Sequence, residues 1–310
     1  MKLLIVENKT NPEILFFKKV LGENCEIIIK NNKENNYLEK QKNFDAIYTT
    51  NPLNLLDLKI SIPYFYNIPS GLFNNELDFN VFHNFYSKIK GASGVFVSDK
   101  KLHKYSLWSD LNAYWIANAG IIPYPKIPNL KNYLSSKLKI GYIYSGNEED
   151  FKIIEETILM GKNNWEFYVN LQSYRSNLFN NLKKYNNKIY FFSSNEEIYD
   201  KVHILIEFYT PKNNRAIPFP THNTLQSIGY GCVPLVSNIS NNWDYVFFDK
   251  THYLKLDYTD SNTIISALRY IDRRRKKIET INFLAKKQLY KYFSLDKIIE
   301  EKIEIIRQNI

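Results

Sequence analysis

Short apolar runs alternate with longer amphipathic ones along almost the whole chain, and the alternation occurs twice. In the first half, apolar runs at 2–6, 25–29, 45–49, 62–66, 94–97 and 114–116 read as strands. Residues 12–21 carry Ile14, Phe17, Val20 and Leu21 at helical spacing; 79–90 and 100–107 also read as helices, the latter capped by Ser98-Asp99. In the second half, strands at 138–144, 165–169, 189–192, 202–208, 235–237 and 253–256 alternate with helices at 148–159, 194–200 and 222–231, and the chain is helical from 262 onward. Strands alternating with helices argue for a parallel, doubly wound sheet, because a parallel connection needs a long crossover. Between the halves, IIPYPKIPNL (121–130) holds three prolines in ten residues and reads as an extended linker. A chain of 310 residues is too long for one ordinary core and fits two domains.

Hydrophobic residues make up 44% of the chain, enough for two packed cores. The net charge of +9 favours anionic partners. The basic residues are scattered except for Arg273-Arg274-Arg275-Lys276-Lys277. That run reads as a solvated helix face; a membrane-surface patch is the sharper alternative. No recognition-helix or single-strand-binding motif accompanies the charge, which argues against nucleic acid. Cys25 and Cys232 sit among apolar residues without metal spacing and read as reduced core thiols of a cytoplasmic protein. The opening MKLLIVENKT reads as a first buried strand rather than a signal peptide. No apolar run approaches the roughly 20 residues that span a bilayer, so any membrane contact would be peripheral, at the inner face.

In doubly wound sheets ligands bind outside the carboxyl ends of the strands. In the second half that rule selects Ser145, Gly146 and Asn147, the loop 209–220 with Tyr209, Lys212 and Arg215, and the segment Thr221-His222-Asn223-Thr224. In the first half it selects the loop 8–11 with Asn8, the pair Thr50-Asn51, and the turn 67–71 with Asn67, Ser70 and Gly71. Thr221 is placed to cap a helix whose first N–H groups would suit a phosphate, with Lys212 and Arg215 adding charge. The plainer alternative is a capped packing helix and a solvated Arg215. His83, between aromatics, is the most suggestive imidazole of the first half; His103 reads as exposed. No Ser-His-Asp set, Walker loop or Gly-x-Gly-x-x-Gly is present, and five histidines are too dispersed to suggest a metal cluster.

The order of these segments resembles the GT-B glycosyltransferases, closest to the family-4 type. TLQSIGYGCVPLVSN (224–238) fills the slots of that family's Glu-Ala-x-Ala-x-Gly helix, Cys/Thr-x-Pro and following strand. ASGVFVSDKKLHKYSL (92–107), WIANAGI (115–121), LKIGYIYS (138–145) and KYFSLDKIIEEKIEII (291–306) are similar to other family segments, the last to a closing helix that crosses back to the first domain. The resemblance implies two Rossmann-like doubly wound domains facing a central cleft: an acceptor-side domain at 1–122, a linker at 123–133, a nucleotide-sugar donor domain at 134–290 and a crossing helix at 291–310.

It also implies transfer of a sugar from a nucleotide-sugar to a hydroxyl of a glycan or lipid-linked saccharide, retaining, and with no cofactor or metal required. The family's two donor Glu fall at Gln226 and near Pro218. Gln226 can still hydrogen-bond a ribose diol, but without charge. After the first donor-domain strand, where the family has Arg and Lys for the diphosphate, no cation occurs before Lys152. The Gly-rich loop after the first strand of the chain is replaced by ENKTNP, and the place of a family His lies near Asn67. These departures keep open a non-catalytic GT-B protein that binds a nucleotide, glycan or partner protein. A nucleotide-sugar epimerase would need acid and base carboxylates, for which Glu207 is the obvious candidate. For transfer, the expected catalytic groups are His83 and Arg215. Donor binding is expected at Ser145, Gly146, Asn147, Lys152, Glu207, Tyr209, Lys212, Thr221, His222, Asn223, Thr224 and Gln226, and the acceptor side at Asn8, Asn67, Ser70 and Gly71.

Overall fold

The structure is a computed structural model, and it describes residues 1–29, 40–50, 60–68, 86, 89–98, 103–104, 106–107, 110–116, 131, 133–134, 137–144, 147–161, 164–170, 189–208, 221–237 and 246–310. The chain forms two compact units. The first draws on Met1–Ile121 and Lys291–Ile310, the second on Ile122–Lys212 and Pro220–Tyr290.

In the first unit, β1 (Leu3–Glu7), β2 (Cys25–Ile29), β3 (Ala46–Thr49), β4 (Tyr64–Ile68), β5 (Gly94–Val97) and β6 (Ala113–Trp115) form one parallel sheet in the order β2-β1-β3-β4-β5-β6. Helix α1 (Pro12–Leu21) starts where Asn11 Oδ1 accepts the Ile14 N–H at 3.0 Å, with a proline in its first turn, where a missing N–H costs nothing. Successive residues of β1 face opposite sides: Leu3 and Ile5 enter one buried cluster, Leu4 and Val6 another. Strand β4 starts and ends two residues later than the 62–66 expected, so Asn67 lies within it, paired in register with Phe96, rather than in the turn beyond.

The second unit holds β7 (Lys139–Ile143), β8 (Glu166–Asn170), β9 (Ile189–Phe192), β10 (Ile204–Phe208), β11 (Val233–Ser237) and β12 (Leu254–Leu256), all parallel, in the order β12-β11-β10-β7-β8-β9. Five helices are described in or starting from this unit: α2 (Glu148–Gly161), α3 (Asn195–Lys201), α4 (His222–Gly229), α5 (Ser261–Arg273) and α6 (Arg275–Tyr292). The sheet is covered on one face by α2 and α5 through Phe151, Ile154, Ile158, Ile264 and Leu268, and on the other by Ile198, Tyr199 and Val202 at α3. The α3 side closes in tightly at Gly141 of β7, where a Cβ would meet Ile198 and Val202 at 2.9 Å.

The glycine before β11 is set by the backbone: Gly231 has φ +85°, the left-handed region that glycine enters freely. Pro234, just before the strand expected at 235–237, lies inside β11, which begins at Val233 rather than at Leu235. The Val233 N–H donates to His203 O on the β10 side, so position 234 faces the β12 side, and the pairing with β12 starts only at Leu235. A proline there removes no ladder hydrogen bond.

The closing helix α7 (Leu295–Gln308) packs on α1, and Ile298, Ile299, Ile303 and Ile306 join Leu3, Ile5, Tyr48, Phe65 and Phe96 in one core of the first unit. Lys302 is 3% exposed, and its Nζ lies 2.6 Å from Glu13 Oε1 on α1 and 3.0 Å from the Tyr48 hydroxyl. Tyr48 itself donates to Glu13. Burial and the Glu13 charge push the Tyr48 phenol well above its usual pKa, so it remains a donor. The helices expected over 79–90 and 100–107 lie largely outside the described residues, and the linker 121–130 lies wholly outside them. No helix among the described residues is long and apolar enough to cross a membrane.

Two stability predictions follow from this packing. Lys302→Met leaves the Glu13 carboxylate buried without its cation and is expected to cost about 3–5 kcal/mol in urea unfolding, while Glu13→Gln with Lys302→Met recovers most of it. His203 is buried at the start of β10; its Nδ1 accepts the Lys139 N–H at 3.1 Å, and burial, then Lys131, Lys139 and Arg275, push its pKa down to about 4. The unfolded chain therefore binds the extra proton first. Stability is complete above an unfolded pKa of about 6.5 and falls, by up to about tenfold in folding constant per pH unit, as pH drops from there towards 4. Unfolding midpoints across that window should show the slope, and His203→Gln should flatten it.

Candidate functional site

In the second unit the strand order reverses between β7 and β10, with β8 and β9 on one side and β11 and β12 on the other. This is the position at which open α/β sheets bind ligands, beyond the carboxyl ends of the strands. Polar side chains gather there. Thr221 caps α4, its Oγ1 accepting the Thr224 N–H at 3.1 Å. The buried Thr224 hydroxyl donates to Glu207 Oε2 at the end of β10, which leaves the Thr221 hydroxyl as donor in the 3.0 Å contact between the two threonines.

A second chain of amides runs beside it. Asn170, the last residue of β8, donates through Nδ2 to Asn195 Oδ1 in the first turn of α3; Asn195 Nδ2 lies 3.5 Å from Asn223 Oδ1 on α4. The Tyr199 hydroxyl also donates to Asn223 Oδ1, at 3.0 Å. Burial, and then the nearby Glu207 charge, push the Tyr199 phenol far up, so it holds its proton. Thr224 thus faces the sheet and Asn223 faces α3. Gln226, three residues after Asn223 and half-buried, shares the Asn223 side of the helix.

Two buried acceptors on this edge have no hydrogen-bond partner among the described residues: Asn170 Oδ1 and Ser237 Oγ, each on a side chain with no exposed surface. Leaving such an atom unsatisfied costs about 1–3 kcal/mol. They end β8 and β11, three strand spacings apart, or roughly 14 Å.

The helix starts on this edge differ in charge. Glu148, Glu149 and Asp150 occupy the first turn of α2, where Asn147 Oδ1 accepts the Glu149 N–H at 3.1 Å; Lys152 is exposed one turn on. The first turn of α4 has no acidic residue. An anion is therefore disfavoured at α2, whereas at α4 the first-turn N–H groups favour one beside the Glu207 carboxylate that Thr224 holds. The Thr224 N–H is taken by the Thr221 cap, so His222 and Asn223 carry the first-turn N–H groups that lack a partner within the helix.

In the first unit a smaller polar group sits at the carboxyl ends of β1 and β3. Glu7, 4% exposed, accepts the Thr50 N–H and, at 3.3 Å, the Thr49 hydroxyl, while Asn11 Nδ2 lies 3.4 Å from Thr50 Oγ1. Burial raises the Glu7 pKa against those hydrogen bonds. Asn8 is exposed directly after β1, and Asn67 is half-buried on β4.

The structure brings together Glu207, Thr221, Asn223 and Thr224, with Gln226 on the same helix. His83, Arg215, Ser145, Gly146, Tyr209, Lys212, Ser70 and Gly71 lie outside the described residues, as does the side chain of His222. Asn170, Asn195, Tyr199, Ser237 and Glu7 were not singled out from sequence. The strand-end rule reaches Asn170 and Glu7 once each strand is extended by one residue.

Two parallel Rossmann-like sheets in one chain, with the closing helix returned to the first, define the GT-B fold. No protein-family model and no curated protein matches the sequence. Solved structures with this fold do. HepE of Anabaena in complex with UDP is similar with a TM-score of 0.70 and 11% identity, covering 99% of this chain and 100% of that one. A glycosyltransferase from Rickettsia africae ESF-5 gives 0.67 and 14%, covering 99% and 98%, and the lipopolysaccharide outer core galactosyltransferase WaaB gives 0.64 and 8%, covering 100% of both.

Removing the cap tests the local architecture: Thr221→Ala should lower stability by about 1 kcal/mol in thermal unfolding, and Thr221→Ser should restore most of it.

Proposed function

We propose that this chain is a glycosyltransferase that moves a sugar from a nucleotide-diphosphate sugar to a hydroxyl of a glycan or lipid-linked saccharide, in the synthesis of surface polysaccharide or glycoconjugate. The observation that carries the reading is the pair of unsatisfied buried polar atoms, Asn170 Oδ1 and Ser237 Oγ, on the sheet edge where α4 starts with no acidic residue of its own in the first turn. The likeness to HepE, solved with UDP and with UDP-glucose, supports a uridine diphosphate sugar as the first donor to try.

In this reading the diphosphate lies at the His222 and Asn223 N–H groups, with Lys212 and Arg215 adding positive charge. Glu207 and Gln226 take ribose or sugar hydroxyls, and Ser145, Gly146, Asn147, Lys152, Tyr209, Thr221 and Thr224 complete the donor side. The bond between the anomeric carbon and the diphosphate oxygen breaks, and its electron pair leaves with the diphosphate. Fixed N–H dipoles and cations stabilise that charge, the main catalytic contribution. The acceptor oxygen bonds the anomeric carbon and gives up its proton, for which His83 is the candidate base. Asn8, Asn67, Ser70 and Gly71 hold the acceptor. The reaction retains configuration and needs no metal or cofactor, and the protein works in the cytoplasm with a peripheral contact to the inner face of the membrane.

The acidic first turn of α2, standing where the resemblance calls for cations, favours one other reading: a non-catalytic GT-B protein that binds a nucleotide or glycan. A thermal-shift screen against UDP, GDP, CDP, ADP and TDP tests both. Transfer requires a response to at least one, about tenfold weaker affinity in Gln226→Ala and Arg215→Ala, and release of that diphosphate from its sugar when acceptor glycans are supplied. Binding without release selects the second reading, and no response to any of the five overturns both as nucleotide sites.

A further inference from the structure

Helix α6 is buried on one side only. Ile278, Ile281, Asn282, Ala285 and Leu289 form its inner face, and Gln288 Nε2 donates to Val246 O at 2.6 Å, so the helix is held firmly. At 100° per residue the opposite face is Lys276, Thr280, Phe283, Lys287 and Tyr290, all exposed. Phe283 is 61% exposed and Tyr290 40%. The stripe is about 21 Å long. The only acid on the helix, Glu279, is half-buried at the stripe's border.

The stripe continues into a cavity of about 540 Å³ at the α5–α6 junction, lined by Leu134, Asp272 and the five basic residues from Arg273 to Lys277. Asp272 is paired with Arg275, which also donates to Tyr133 O at 3.1 Å. Arg273, Arg274, Lys276 and Lys277 are exposed and in no ion pair among the described residues. Two aromatic rings along a lysine-edged helix, beside a basic cavity with an exposed leucine, match an interface of anionic headgroups over acyl chains. A second copy of this +9 chain would bring like charge against the face, and an extended nucleic acid gives no apolar layer to receive Phe283.

We propose that the outward face of α6 and the basic cavity at its start dock on an anionic phospholipid bilayer, with Phe283 entering the acyl boundary and Arg273, Arg274, Lys276 and Lys277 holding lipid phosphates. This carries the peripheral membrane contact proposed above to a particular face, and rests on that contact rather than on sugar transfer.

The test is flotation of the full chain with vesicles of phosphatidylcholine alone or mixed with phosphatidylglycerol. Binding to the mixed vesicles should exceed binding to phosphatidylcholine by about tenfold or more and weaken with salt. Lys276→Glu with Lys287→Glu should reduce it by at least about tenfold, and Phe283→Ala several-fold even at low salt. Inorganic phosphate at millimolar levels should not compete. Circular dichroism and the nucleotide-induced thermal shift of these variants should match the parent, which separates loss of docking from failure of the donor site. Equal binding to both vesicle types, no binding to either, displacement by inorganic phosphate, or affinity unchanged in both variants would overturn the proposal. So would retention by RNA of a protein that the mixed vesicles leave unbound.

Discussion

All the strands of both sheets run parallel, and a parallel sheet must be covered on both faces. Everything else in the molecule is arranged around that requirement. In the second unit it is met locally: α2 and α5 lie on one face, α3 on the other, all within one stretch of chain. In the first unit one face is covered by α1 together with a helix from the far end of the sequence, while Ile89 and Leu111 pack with Leu4 and Val6 on the other. Four isoleucines of α7 complete the cluster begun by Leu3 and Ile5. The Lys302–Glu13–Tyr48 group gives that contact a defined register, because only one placement of the helix pairs a buried ammonium with a buried carboxylate.

Covering both faces leaves the carboxyl edges of the strands as the places where polar atoms can gather without breaking the core. In the second unit they do so in two tracks, Thr221–Thr224–Glu207 and Asn170–Asn195–Asn223–Tyr199, which meet on α4. The helix is short, yet its start is fixed from two directions, by its own cap and by α3. The close approach of the α3 side to Gly141 is what brings Asn195 and Tyr199 within reach of α4. On the same edge one helix start carries three acids and the other none, so a bound anion has a preferred end.

The fold was legible because short apolar runs alternate with amphipathic stretches of helical period on either side of the proline-rich linker, and the closing helix was placed by resemblance at 291–306, against the observed Leu295–Gln308. The Thr221 cap was legible from a hydroxyl followed by a polar turn. Strand ends were less so. Asn170 and Glu7 look like loop residues, yet hydrogen bonding to the neighbouring strand keeps them in the ladder, where they become site residues. Pro234 misled for the same reason: its cost depends on which neighbour its missing N–H would face, and that is a property of the sheet. The partnerships of Asn195, Tyr199 and Lys302 are tertiary, with no local pattern to announce them.

The dependence of the first sheet on α7 has a consequence for synthesis. Leu3 and Ile5 leave the ribosome about 300 residues ahead of Ile303 and Ile306. At typical rates of about 5–20 residues per second, one face of that sheet would wait on the order of tens of seconds for its cover. The second unit, whose layers come from a nearer stretch, can be complete before then. The amino-terminal half of the chain is thus the later of the two to mature, and the one that a holding chaperone would meet.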